Sequence, residues 1–180
     1  MMSPEGGSPP PGHNHGADMP GMEDTGTARK GASIEISDED RTEVTALLEN
    51  AMEAYLSAHD QLARDGDARG AAADFLSTLA DPNLPEVLSP LRSAAEALES
   101  AEDIELQRER FIPLSRLYID LIDATGATLN TGAPLGVYHC PMAGDDGADW
   151  VQPQGTTQNP YFGTSMSKCG SMTRELGGGQ

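Results

Sequence analysis

Between Val44 and Leu62 one stripe recurs at steps of three and four: Val44, Leu47, Leu48, Ala51, Met52, Tyr55, Leu56, His59 and Leu62. That period belongs to one face of an α-helix, because a strand would alternate every second residue. The same period recurs, with short breaks, as far as residue 126. Ser37 with Asp40 makes a capping-box start, and Gly66 is expected to close the first helix in the left-handed conformation. A second helix is expected from about Asp67 to Leu79, stopping at Asp81-Pro82. Ser89 and Pro90 read as the cap and first residue of a third helix, ending near Ser100. A fourth runs from about Glu102 to Thr125, with Ile104, Phe111, Leu114, Tyr118, Leu121 and Ile122 on one face. Pro113 inside it should bend it, and Gly126 ends it. Short connections between such helices predict a mainly-α fold, an antiparallel up-down four-helix bundle over residues 37–126. Aromatic residues are only 4% of the chain, so aliphatic side chains are expected to do most of the burial.

The flanks differ. Residues 1–36 lack apolar periodicity, and the first 40 residues hold seven Gly and five Pro. Such a segment cannot bury enough surface to offset its ordering entropy, so a disordered tail is expected. It opens Met1-Met2-Ser3-Pro4-Glu5, with no basic n-region or apolar h-region, so no signal peptide is visible. That leaves a cytosolic protein or a processed form of an exported one. Residues 127–173 are expected to form a small irregular lobe of two short strands, a turn and one helical turn, packed on the bundle. Trp150, Tyr161 and Phe162 would act as plugs. Residues 174–180 are expected to fray.

Charge excludes some function classes. The chain has a formal net charge of −18, which argues against binding nucleic acid or an anionic lipid surface, since both need a basic face. Apolar runs are far short of the roughly 20 residues that span a bilayer. Most of the negative charge lies on the helices, and residues 127–180 carry only −2. The acidic helices read most simply as solvated faces.

The near-neutral lobe holds both cysteines, Cys140 and Cys169. If Cys140 and Met142 lie in a strand, they share a face. Met166 and Cys169, three apart on a helical turn, share one too. Two thiolate–thioether pairs that converge would form a soft donor set, suited to Cu(I). A structural zinc site would show closely paired Cys/His ligands, and no Cys-x-x-Cys is present. His139 points away from Cys140 in a strand and is an outer-shell or alternative ligand. The same two cysteines could instead form a disulfide around the 28 residues between them, worth about 3–4 kcal/mol in the chain-entropy picture. Buried, unreactive thiols are a third reading, and spacing alone leaves all three open.

The tail places His13, His15, Met19 and Met22 within ten residues, a compositional hint of transient metal capture. His59, on the apolar stripe, reads as a satisfied core residue rather than a ligand. No Gly-rich phosphate loop or Ser-His-Asp set stands out. Cys140 beside His139 makes a poor nucleophile pair, because adjacent strand residues diverge. No enzyme activity is expected; a thiol enzyme or redox protein, with a depressed thiolate pKa at Cys140, is the weaker alternative.

Cys140-Pro141-Met142-Ala143, Ala148-Asp149-Trp150, Asn159-Pro160-Tyr161-Phe162-Gly163 and Met166-x-x-Cys169-Gly170 stand in this order. In this order and spacing they resemble a bacterial domain of unknown function. That domain is found alone in exported proteins or appended to periplasmic adaptor (membrane-fusion) subunits of RND copper/silver efflux systems. Asp103-Ile104-Glu105-x-x-Arg108, followed by Phe111 and Leu114-Ser115, is similar to that family's last long helix. The resemblance covers roughly residues 40–172. It implies a helical domain for copper or silver handling in the periplasm, or otherwise exported, with Cys140, Met142, Met166 and Cys169 as ligands to Cu(I) or Ag(I). Its partners would be the metal ion and an efflux adaptor or another envelope protein. Trp150, Asn159, Pro160, Tyr161 and Gly163 would be structural. The 180 residues contain none of an adaptor's lipoyl-like and barrel domains, so they are not a whole adaptor.

Overall fold

The structure, a computed structural model, describes residues 34–176. Its helices are α1 (Asp38–Ala63), α2 (Arg69–Thr78), α3 (Ser89–Glu99) and α4 (Ile104–Thr125). A single 3-10 turn, Glu86–Leu88, leads into α3. The Ser37 hydroxyl caps α1 by accepting from the Asp40 N–H at 3.1 Å, and Asp103 caps α4 by accepting from the Leu106 N–H at 2.8 Å. These side chains satisfy amides that the first turn of a helix leaves without partners. The buried face of α1 includes Val44, Leu48, Ala51, Tyr55, His59 and Leu62, the stripe expected from the period. α4 runs through Pro113 without a break. Each helix touches the next in the chain, and α4 touches α1.

Three strands follow: β1 (Leu135–Cys140), β2 (Ala148–Pro153) and β3 (Ser171–Leu176). They form an antiparallel sheet of order β2-β1-β3, with Tyr138 opposite Trp150 on one side and Met172 on the other. β2 packs against α4 and α1. The fold is therefore mainly α with a small antiparallel sheet, and no helix among the described residues is long and apolar enough to cross a membrane.

Four local expectations need correction. The left-handed residue after α1 is Asp65 (φ 59°), one position before Gly66. Aspartate tolerates that conformation better than most residues, and here its carboxylate is tied to Arg108 and Thr164. Ile36, placed in the tail, is buried in the core. The lobe has a third strand, and it takes in residues 174–176, which were expected to fray; Leu176 is buried. Five of the six β3 residues are exposed, so no apolar alternation marks it. Backbone pairing to β1 holds it in place.

Aliphatic side chains make up most of the core, as expected, but the few aromatic residues are concentrated in it. The tryptophan, all four tyrosines and two of the three phenylalanines join one line: Phe75, Tyr118, Tyr55, Phe111, Tyr161, Trp150, Tyr138. Neighbouring ring centroids lie 4.7–6.1 Å apart, the range in which offset and edge-to-face contacts stabilise. This line crosses from the helices into the lobe. At the crossing, the Tyr55 hydroxyl sits 2.5 Å from the Ser115 Oγ and accepts the Val151 N–H at 3.0 Å. An outward amide of β2 is thereby satisfied from α1.

Candidate functional site

Cys140 ends β1 and is fully buried. Cys169 lies half-buried between β3 and the 3-10 turn Gly163–Met166. Its N–H donates to the Met166 carbonyl at 3.0 Å. The two are free thiols with Sγ atoms 3.2 Å apart. Gly170 makes this approach possible. A Cβ there would lie 2.6 Å from the His139 carbonyl oxygen and 2.8 Å from Trp150 Cη2, at a φ of +104°. Only glycine lets the chain cross β1 this closely. The contact with Cys140, and then burial, raises the Cys169 thiol above its ordinary pKa, because the bond favours the protonated form.

Asn159 ties the surrounding loops together from a fully buried position. Its Nδ2 donates to the Cys169 carbonyl at 2.8 Å, and its Oδ1 accepts from the Tyr161 N–H at 2.8 Å. The Asn159 N–H donates to the Ser167 carbonyl at 2.9 Å. The Tyr161 hydroxyl donates to the Asp149 carbonyl at 2.5 Å. Trp150 is buried beside Tyr161, and its Nε1 donates to Gln152 Oε1 at 3.0 Å. Pro160 presents its carbonyl to Arg108 Nε at 3.3 Å. Gly163 (φ +55°) packs against the Arg108–Asp65 ion pair, where any Cβ would collide with both side chains. Bonds from Thr164, and next from Arg108, hold the Asp65 carboxyl below the usual carboxylate range.

The two cysteines are thus brought together across 29 positions. The methionines are placed differently from the strand argument. β1 stops at Cys140, so Met142 falls in the following turn, 61% exposed. Met166 ends the 3-10 turn, 36% exposed. The strand rule that put Cys140 and Met142 on one face does not apply past the end of the strand. His139 lies on the other face of β1, its Nδ1 2.6 Å from Asp149 Oδ1. His59 is buried, its Nε2 2.8 Å from the Gln158 carbonyl oxygen. His13, His15, Met19 and Met22 lie outside the described residues. Among the described residues no group of three or more His, Cys, Asp or Glu is arranged to hold a metal ion. What the site presents is a pair of sulfur donors.

No family model matches the chain, and no curated protein or solved structure matches it.

Sequence reasoning missed Gln152, Asp65 and the Tyr55–Ser115 contact. Gln152 Oε1 accepts from Trp150 and from the Gln158 N–H at 2.9 Å, while its Nε2 donates to the Thr156 carbonyl at 3.1 Å. Nothing local distinguishes it from a surface glutamine. Asp65 and the Tyr55–Ser115 pair act across 43 to 99 positions, which no short-range pattern records.

Proposed function

We propose that this chain is a soft-metal binding module that takes up Cu(I) or Ag(I) at Cys140 and Cys169 in the cell envelope, to sequester it or pass it on. The supporting observation is the 3.2 Å approach of two free thiols on separate segments. Paired thiolates select soft ions over Mg, Ca or Mn. Met142 and Met166 would add thioether donors at the surface without adding charge, with His139 as an alternative donor. His13, His15, Met19 and Met22 would capture ions transiently. The resemblance to domains attached to copper/silver efflux adaptors supports the same reading. It suggests an efflux adaptor or another envelope protein as the docking partner. In this reading the four helices, in contact around a ring, form an up-down antiparallel bundle that serves as the rigid base. No catalytic role and no nucleic-acid partner are assigned.

A two-coordinate ion with metal–sulfur bonds of about 2.3 Å needs sulfurs up to about 4.6 Å apart. Binding would therefore open the 3.2 Å pair by up to about 1.4 Å. The test titrates the reduced chain with Cu(I) against a chromophoric Cu(I) chelator. Wild type should withhold one equivalent, and the Cys140→Ser/Cys169→Ser variant should withhold none. Equal competition by both, with helical circular dichroism retained, would rule out the site.

The short sulfur separation also favours a second reading, a disulfide-stapled helical interaction domain with no metal of its own. Protein purified without reductant would then show no free thiols, and would take up no copper after reduction.

A further inference from the structure

The two sulfurs are not equivalent. Cys140 closes the central strand and is 0% exposed. Cys169 is half-buried on a connection between two elements. We propose that Cys169 is the outer thiol of a dithiol–disulfide couple: it exchanges with a low-molecular-weight disulfide and passes the new bond inward to Cys140.

The Cys169 thiol gives up its proton to solvent, and the thiolate attacks one sulfur of the small disulfide. That S–S bond breaks, and a thiolate leaves and is protonated. Cys169 now carries a mixed disulfide. Cys140 Sγ, 3.2 Å away in the reduced protein, loses its proton and attacks Cys169 Sγ. The mixed disulfide breaks, and the second small thiolate leaves with that proton. Two protein thiols lose two electrons in all, and one small disulfide becomes two thiols.

Three observations support this order. The sulfur separation is within the roughly 3–3.5 Å of a near-attack arrangement. Closing to a disulfide, about 2.05 Å, moves the sulfurs by only about 1.2 Å. The lobe that presents Cys169 carries −2 of the chain's −18, and Lys168 precedes the thiol. An anionic reagent such as oxidised glutathione therefore meets less repulsion here than on the acidic helices. Buried Cys140 is reached only through its neighbour or by local opening.

This inference uses the same sulfurs as the proposed metal site but involves no metal. A chain that binds no Cu(I) can pass its test, and one that binds Cu(I) can fail it. The reduced full chain is incubated with oxidised glutathione and followed by intact mass and by the emission of Trp150, the single tryptophan. Wild type should end as an internal disulfide without retained glutathione, with a change in Trp150 emission. Cys140→Ser should accumulate one glutathione on Cys169. Cys169→Ser should react on the order of tenfold or more slowly, because Cys140 then needs local opening. Native-state alkylation of wild type by iodoacetamide, mapped by peptide, needs no variant and should label Cys169 first. Faster or equal labelling of Cys140, or a wild type that retains the mixed disulfide, would overturn the proposal.

Discussion

His59 stands on the apolar face of α1 but behaves as a polar clasp, its ring held against the Gln158 carbonyl of the lobe. Burial pushes its pKa down to about 4, against a smaller upward pull from the Gln158 bond. An unfolded histidine titrates near about 6.5. Above that pH both states are neutral and the full stability is present. As pH falls from about 6.5 to about 4, the unfolded chain takes up a proton that the folded chain refuses, and stability drops by about 3 kcal/mol. Below about 4 both states are charged and this loss stops. His59→Gln should flatten the pH dependence of the urea midpoint in that window. Parallel curves for variant and wild type would show that His59 is not the titrating group. The Asp65 contribution runs the same way in a lower window. Its depressed carboxyl stabilises above the ordinary aspartate range, and that stabilisation fades as pH falls through the folded value.

Among the elements, the end of α1, the start of α4 and the 3-10 turn after Phe162 meet at one junction. Arg108 bonds the Leu62 carbonyl at 3.2 Å, the Pro160 carbonyl and Asp65. Gly163 fits against this pair at a positive φ. Gly163→Ala should cost on the order of 1–3 kcal/mol through backbone strain and collision, and detach the loop bearing Asn159 and Cys169. Gly70→Ala, in open space on α2, should be neutral or stabilise by up to about 1 kcal/mol. Urea denaturation of the two variants checks the contrast, and equal losses would remove the junction's special role. The helices that meet here were legible in the sequence, because the 3.6-residue period and caps such as Ser37 act over a few residues. The junction was not. Asp65 takes the left-handed position beside a glycine that would suit it, because Arg108 and Thr164, far along the chain, hold it there. β3 was invisible for a similar reason: five of its six residues are exposed, and backbone pairing to β1 is what places it in the sheet.

At the scale of the molecule, the aromatic line makes helices and lobe share one core. Phe111 meets Tyr161 at 6.1 Å, and Tyr55 bonds the amide of Val151. Burial keeps the Tyr55, Tyr118 and Tyr161 phenols protonated well beyond their ordinary range. The described residues, 34–176, belong to one compact unit, so helices and lobe should unfold together. Far-ultraviolet circular dichroism, which reports the helices, and Trp150 fluorescence, which reports the lobe, should give coincident urea transitions. Two separated midpoints would show that the lobe unfolds independently. Tyr55→Phe leaves the Val151 amide without its partner and should cost about 1–3 kcal/mol, shifting both probes equally.

Where the helices lie, where the negative charge sits, and that both cysteines fall in one near-neutral segment could all be read before any fold was known. Backbone period and composition are local properties, and no long-range contact is needed to read them. Only the tertiary structure decided that Cys140 and Cys169 approach to 3.2 Å, that Met142 and Met166 stay at the surface, and that one sulfur is buried while the other is half open. The cysteine geometry rests on the Asn159 bonds and on the crossing of Gly170 over β1. Those contacts join distant residues, and they exist only once the chain has folded.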